Sequence, residues 1–155
     1  MARARIVAMT AALVFAAPGV LSAASSSAAT KRLYAFMDGR FTTHGGDTDG
    51  HARIGMSFDR ARGRVCFDLR KFKLETPSAA HIHRASKGRD GPVVVTLFRT
   101  PTGAGRGKVT GCAGGVSRAT IDAILARPSA YYADLHTQAY PRGSVRGQLT
   151  TRKLV

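Results

Sequence analysis

From residue 31 onward, the chain is built of short runs in which apolar and polar residues alternate. Residues 31–37, 52–58 and 64–74 each alternate with a period of two, as expected for strands that bury one face. The polar, glycine-containing segment 59–64 separates the second run from the third by a short turn. The pattern therefore predicts a β-hairpin in the first half of the chain.

The second half of the chain continues the same pattern around glycine- and proline-containing turns. Four further strands are predicted at 79–84, 92–98, 129–137 and 144–151. Pro92 opens its strand, where a missing backbone donor does least harm. The segment 99–111 contains four glycines and one proline, and we interpret it as a loop.

One segment has helical rather than alternating spacing. Ser117 provides an N-cap, Ile121, Ile124 and Leu125 form an apolar stripe, and Pro128 ends the segment. Seven short strands and one short helix predict an all-β protein, an antiparallel sandwich or barrel. No internal repeat or second domain is evident.

The N-terminus has the layout of a secretory signal peptide. Arg3 and Arg5 precede an apolar stretch, 6–17, which is shorter than the roughly 20 residues of a membrane-spanning helix. Small residues permit cleavage after Ala24, or as late as Ala29. A buried N-terminal helix is the alternative. We expect residues 1–24 to be removed and residues 30–155 to form a single exported domain, periplasmic or extracellular and not transmembrane.

Cys66 and Cys112 are the chain's two cysteines. In an exported protein, an even pair predicts a disulfide bond. The alternative is a pair of metal-binding thiolates, but the two residues lack the local C-x-x-C spacing of zinc sites. We therefore expect Cys66 and Cys112 to be joined.

Positive charge dominates the composition, with 24 Lys and Arg against 9 Asp and Glu and a formal net charge of +15. Such a surface attracts polyanions. The cations are dispersed, however, and neither an RNA-binding aromatic signature nor zinc-finger spacing is present. We expect an anionic envelope component or an unidentified protein as partner, and no dedicated nucleic-acid site.

Two histidines one residue apart are the principal candidate for chemistry. His81 and His83 project from the same face of their predicted strand, and His136 is the natural third ligand from another strand. Asp134 and Tyr132 share the face of His136, and an acidic neighbour can orient an imidazole. Three histidines suit Cu or Zn. The alternative is a hydrogen-bonded network or a solvated groove without metal.

The other candidate residues are weaker. His44 and His51 flank a glycine-rich loop and are poorer metal ligands. The sequence has no G-x-S-x-G nucleophile motif, and Glu75 is its one glutamate, so a paired-carboxylate hydrolase would need two of the scattered aspartates. We assign no catalytic residue and expect a protein that is not an enzyme.

Two segments, 79–98 and 132–149, resemble the CHRD domain, a family named from chordin and found in small secreted bacterial proteins. The first carries A-H-I-H and a later G-P-V-V-V, and the second carries H-T-x-x-Y-P-x-G-x-V-R-G-Q-L. Besides the histidines, the matching motif residues include Gly91, Pro92, Pro141, Gly143, Arg146, Gly147 and Gln148. Asp134 departs from the family pattern, in which asparagine is usual.

The resemblance implies an immunoglobulin-like β-sandwich, similar to Cu/Zn superoxide dismutases, but no established biochemical role. Fold alone assigns no function. We therefore expect a non-catalytic binding or structural module of the cell envelope or extracellular space. The alternative is a Cu- or Zn-binding metalloprotein that uses His81, His83 and His136. Asp134 would favour an imidazolium or a metal-bound imidazole beside it.

Overall fold

The computed structural model describes residues 30–100 and 107–153, so the predicted signal peptide lies outside the described residues. These residues form eight strands and one α-helix: β1 (Lys31–Asp38), β2 (His51–Asp59), β3 (Arg64–Phe72), β4 (Ala79–Arg84), β5 (Val93–Arg99), β6 (Lys108–Ala113), α1 (Arg118–Ala126), β7 (Tyr131–His136) and β8 (Val145–Gln148). Short 3-10 turns occupy Gly39–Phe41 and Pro128–Ala130.

All eight strands belong to one antiparallel sheet with the order β5-β4-β7-β8-β1-β2-β3-β6. The two outermost strands, β5 and β6, contact each other, so the sheet curls into a nearly closed barrel or sandwich. The predicted all-β class with one short helix is confirmed. Where a sandwich would have two separate sheets, this structure has one continuous sheet that curls on itself.

The core lies inside this curl and follows the alternation of the strands. Successive inward positions of β1 and β2 are almost fully buried: Leu33, Ala35, Met37, Ala52, Ile54, Met56 and Phe58. Burying each large side chain of this kind stabilises the fold by about 1.5–3 kcal/mol. The outward positions are left for polar and charged groups, and these include the candidate site.

The helix α1 adds Ile121 and Ile124 to the same core. It begins where the Ser117 hydroxyl accepts a hydrogen bond from the backbone N–H of Thr120, as predicted for an N-cap. No helix within residues 30–100 and 107–153 is both long and apolar enough to cross a membrane.

The strand β6 corrects one sequence prediction, because residues 108–111 belong to the segment that the sequence predicts to be a loop. It pairs along β3 and places Cys112 directly opposite Cys66, and the two form the predicted disulfide. Gly111 faces the Phe67 ring so closely that a Cβ would come within 3.0 Å of it. The strand thus has few apolar residues of its own and is held by its partner strand and the disulfide.

The strand β4 lies between β5 and β7, and its pairing with β5 is irregular. The register shifts between Ala80 and His81 and again between Ile82 and His83. Such bulges re-aim side chains and are common beside functional sites. Pairing with β7 is regular, so β4 and β7 together position the side chains on the outer face.

Candidate metal centre

Strand pairing brings the histidines of β4 next to those of β7. His81 lies opposite Asp134 and His83 lies opposite Tyr132, while His136 is opposite Ala79 at the end of the same pairing. Strand order, which spacing in sequence does not reveal, therefore joins the H-x-H pair to the third histidine. Four ligand atoms, one each from His81, His83, Asp134 and His136, lie within 4.8 Å of one another.

The carboxylate of Asp134 is at the middle of this cluster. Its Oδ2 lies 3.0 Å from Nε2 of His83 and 3.1 Å from Nε2 of His136. Its Oδ1 lies 3.5 Å from Nδ1 of His81, which in turn lies 3.1 Å from Nε2 of His136. Three imidazoles thus converge on a single acidic group.

Two backbone carbonyls fix the orientation of two rings. Nδ1 of His83 lies 2.8 Å from the carbonyl oxygen of Gly91, and Nδ1 of His136 lies 3.0 Å from that of Pro141. A carbonyl oxygen only accepts hydrogen bonds, so each Nδ1 carries the proton and donates. In the neutral rings, both Nε2 atoms are then bare lone pairs aimed at Asp134.

This arrangement requires positive charge at its centre. A lone pair on Nε2 and a carboxylate oxygen repel each other at 3.0–3.1 Å unless a proton or a metal cation lies between them. The group is also largely sealed from water, since the side chains of His81 and Asp134 are 9% and 8% exposed. Nε2 of His81, Nε2 of His83 and Oδ1 of Asp134 are buried and have no hydrogen-bond partner within residues 30–100 and 107–153.

The surroundings shift the ionisation of Asp134. Burial alone raises the pKa of this carboxyl, but close contacts with His136, His81 and His83 outweigh burial, and the net pKa lies far below its ordinary value. Asp134 is therefore ionised at neutral pH. It supplies a fixed negative charge among the rings.

The same carboxylate acts in the opposite direction on two of the rings. For His83, burial lowers the pKa, but the Asp134 charge and the Gly91 carbonyl raise it to a net value above the ordinary one. For His136, the contact with Asp134 is the main cause of a raised pKa, and burial opposes it. Both rings therefore hold a proton more strongly than a free imidazole does.

The spacing of the donor atoms also fits a small metal ion. Zn–N bonds of about 2.0–2.1 Å in a tetrahedron place neighbouring donor atoms about 3.3 Å apart. Three separations, 3.0 and 3.1 Å from Oδ2 of Asp134 to Nε2 of His83 and of His136 and 3.1 Å from the latter nitrogen to Nδ1 of His81, lie close to that edge length, and one donor atom from each of the four residues lies within 4.8 Å of the others. Three imidazole nitrogens and one carboxylate oxygen form a donor set that Zn²⁺ and Cu²⁺ accept.

Stacked side chains hold His83 in place. Its ring stacks on Tyr132 with centroids 4.7 Å apart and planes 8° from parallel. The guanidinium carbon of Arg146 lies 3.5 Å from the centroid of the same Tyr132 ring. Because β4 and β8 flank β7, histidine and arginine reach the tyrosine from strands on either side.

Arg146 also ties the turn between β4 and β5 to the site. Its side chain, 5% exposed, donates to the carbonyl oxygens of Ser86 and Arg89 at 3.1 and 2.6 Å and to Asp90 at 3.2 Å. The turn that these bonds hold carries Gly91 at its end. Arg146 thereby supports the carbonyl that orients His83.

An open pocket of about 160 Å³ lies over the outer side of the cluster. On its rim, Nη2 of Arg142 donates to Nδ1 of His44 at 2.7 Å, and Nε2 of His44 lies 2.9 Å from Asp90. A hydrogen bond from the Thr43 hydroxyl is the main cause of a lowered pKa at Asp90. The pocket connects the candidate centre with solvent.

Most of the site residues named from the sequence meet here. His81, His83, His136, Asp134 and Tyr132 form one cluster, with Asp134 contacting three rings rather than one. His44 lines the pocket but lies outside the donor group, and His51 stacks on a phenylalanine elsewhere.

The motif residues now have structural roles around the cluster. Besides the contacts already described, Pro92 accepts a backbone hydrogen bond that closes the β4–β5 turn, and Gln148 donates to the carbonyls of Ala85 and Ser129. Gly143 has a φ of +124°, which favours glycine, and Gly147 allows β8 to approach β1 closely. The motif residues thus hold the turns and strands around the histidine cluster in place.

Sequence reasoning missed Asp90, Thr43 and Arg142 on the pocket rim. It also missed the carbonyls of Gly91 and Pro141, because a backbone oxygen has no signature in the residue type. The turn sequence that contains Asp90, with its glycine and proline neighbours, was the available signal.

A family model for the CHRD domain matches residues 33–149. The chain belongs to the CHRD domain family. The match covers every strand from the body of β1 to the end of β8 and all members of the histidine cluster. Searches of curated proteins and of solved structures returned no match.

Proposed function

We propose that this CHRD-domain protein is an exported binding module that holds one Zn²⁺ or Cu²⁺ ion through His81, His83, His136 and Asp134. One observation carries the proposal. In His83 and His136 the ring proton is on Nδ1, which donates to a backbone carbonyl, and the unprotonated Nε2 atoms both lie against Asp134. A cation at that point turns two repulsive contacts into bonds.

A metal ion suits the site better than protons alone. Protonating both rings puts two positive charges beside one carboxylate and still leaves Oδ1 of Asp134 without a hydrogen-bond partner among the described residues. A divalent ion uses the nitrogen lone pairs and a carboxylate oxygen together. The carbonyls of Gly91 and Pro141 then serve as the partners that commonly orient metal-bound histidines.

We propose in addition that the protein binds its ion without catalysing a reaction, and that it is exported rather than cytosolic. The disulfide between Cys66 and Cys112 is typical of oxidising compartments. The family is one of extracellular modules, which agrees with the signal-peptide pattern at residues 1–24. The ion would serve storage, buffering or recognition of a partner at the pocket rim.

Metal stoichiometry tests the proposal directly. The oxidised protein is titrated with Zn²⁺ and with Cu²⁺ in a calorimeter, and bound metal is measured by elemental analysis after desalting. We expect one ion per chain in the native protein and none retained in the His81→Ala/His83→Ala variant. The matched control is His44→Ala/His51→Ala, which removes the two histidines outside the cluster and should retain the ion.

The alternative is a purely hydrogen-bonded network that makes the face of β4 and β7 rigid. It predicts no retained metal in either variant or in the native protein, with the fold intact by circular dichroism. Equal loss in both double variants would also contradict the proposal, since it would indicate general histidine affinity rather than a defined centre.

A further inference from the structure

The outer face of β1, β2, β3 and β6 carries a row of cations. Arg53 on β2 lies opposite Arg70 on β3, and Arg70 lies opposite Lys108 on β6. All three are exposed. Like charges directly opposite each other on neighbouring strands destabilise a sheet, so folding does not explain why Arg53 lies opposite Arg70.

The row borders a groove of about 480 Å³. Its lining includes four cationic side chains and one carboxylate, with a tyrosine between them: Arg32, Tyr34, Arg53, Asp68, Arg70 and Lys153. Gly55 opposes Tyr34 across the strands, and a Cβ there would meet the tyrosine ring at 3.4 Å. The absence of a side chain at Gly55 therefore leaves room for the Tyr34 ring, which lines the groove.

The positive charge in this groove is largely uncompensated. Asp68 already pairs with Lys108 at 2.9 Å and lies 3.8 Å from Arg70. Arg32, Arg53 and Lys153 form no ion pair within residues 30–100 and 107–153. Three free cations around one aromatic ring leave a site that an anionic partner would complete.

We infer that this groove, the β1–β3 groove, binds an acidic polysaccharide whose carboxylates pair with Arg32, Arg53 and Arg70 while a sugar ring packs on Tyr34. Guanidinium groups match carboxylates in bidentate geometry. Neighbouring strands are about 4.8 Å apart, so Arg32 on β1, Arg53 on β2 and Arg70 on β3 spread their charges over about 10 Å across the strands, enough for successive charged sugars.

Nucleic acid and membrane fit this surface less well. Grooves for single-stranded nucleic acid stack successive bases on several free aromatic rings. Here Tyr34 is the aromatic ring lining the groove among the described residues, and the nearby Phe72 stacks on His51 at 4.9 Å. A concave groove admits a chain but not the flat surface of a bilayer.

The β1–β3 groove shares no residue with the candidate metal centre, so the two proposals stand or fall separately. The probe is a polygalacturonate oligomer, with neutral dextran, a single-stranded oligonucleotide and vesicles containing anionic lipid for comparison. Binding is measured by calorimetry at about 0.15 M salt, where surface attraction is screened over about 8 Å.

The key variant is Arg53→Gln/Arg70→Gln, and its control is Arg118→Gln/Arg127→Gln, which removes the same charge from the helix region. We expect the polygalacturonate Kd to rise at least about tenfold in the first variant and less than about twofold in the control. Because Arg53 and Arg70 repel each other, thermal unfolding of the first variant should be unchanged or shifted upward.

A second readout needs no variant. In the native protein, the amide NMR signals of Tyr34 and Gly55 should shift on adding polygalacturonate and not on adding dextran. Equal losses in both variants, or the absence of polygalacturonate binding, would overturn the inference. Binding of the oligonucleotide or of vesicles in preference to polygalacturonate, with the same dependence on Arg53 and Arg70, would overturn it in favour of that partner.

Discussion

Nε2 of His136 lies 3.1 Å from Oδ2 of Asp134, two residues earlier on the same strand. The alternation of β7 puts both side chains on the outer face, and the Pro141 carbonyl turns the ring so that its Nε2 meets the carboxylate. The same oxygen meets Nε2 of His83. The ionisation of His83 and that of His136 are therefore coupled through the shared carboxylate of Asp134.

Replacing Asp134 by asparagine, the residue usual in the family pattern, should weaken metal binding. Asp134→Asn keeps the shape but removes the charge that raises the cation affinity of His83 and His136. We expect the Zn²⁺ Kd to increase by about 10–100-fold, as for other groups that support metal-bound histidines. Competition with a chelating dye of known affinity measures the change.

Asp122→Asn is the control for this substitution, because the Asp122 side chain lies on α1, is 43% exposed and pairs with Arg60 rather than with the histidines. It should leave the Zn²⁺ Kd unchanged. An Asp134→Asn protein that binds Zn²⁺ as tightly as the native chain would remove the carboxylate from the proposed donor set.

The metal-free protein should lose stability as pH rises above neutrality. The pKa values of His83 and His136 are raised from 6.5, so their contribution to stability is complete below that pH and is lost as pH rises through the folded values. The pKa of Asp134 is lowered from 3.8, so its contribution is present above that pH and is lost on acidification. Stability should peak between about pH 4 and pH 6.5.

Zn²⁺ should reverse the loss of stability that is predicted for the metal-free protein above neutral pH. Protons compete with the ion for the nitrogen lone pairs, so stabilisation by Zn²⁺ grows with pH and reaches about 2.7 kcal/mol when free Zn²⁺ is 100 times Kd. Melting curves from pH 5 to pH 9, with Zn²⁺ or with a chelator, make the comparison. Curves that stay parallel across this range would contradict the titration of these rings.

Much of the fold could be predicted from the sequence, because apolar alternation marks strands that bury one face. The runs that became β1, β2 and β3 show it clearly. β6 was missed, since Val109 and Ala113 are its buried apolar residues and Gly111 resembles a loop residue. What makes it a strand is its partner β3, which lies some forty residues earlier in the chain.

The side chains of the candidate centre could be predicted from the sequence, but the groups that orient them could not. His81, His83 and His136 were named from spacing, and strand order then joined them. The oxygens of Gly91 and Pro141 and the position of Arg146 beneath Tyr132 depend on tertiary packing. A motif identifies these residues without indicating that two of them act through backbone atoms.

Arg146→Met should destabilise the protein and loosen the candidate centre. The substitution removes the guanidinium donor from the carbonyls of Ser86 and Arg89, of which Ser86 keeps a bond from the Arg89 backbone N–H, and takes the cation away from the Tyr132 ring. We expect a loss of about 2–4 kcal/mol in the free energy of unfolding, measured with urea. Arg142→Met, at the exposed pocket rim, is the control and should lose less than about 1 kcal/mol.

Removing the disulfide should lower stability without changing metal affinity. Cys66 and Cys112 are 46 positions apart, and cross-linking a loop of that length stabilises a fold by about 4 kcal/mol in the chain-entropy model. The bond joins β3 to β6, whereas the histidine cluster lies on β4 and β7. We expect the Cys66→Ala/Cys112→Ala variant to unfold at lower urea but, while folded, to bind Zn²⁺ with the native Kd. A weaker Zn²⁺ affinity under conditions where circular dichroism shows the fold intact would mean that the centre depends on this distant pair of strands.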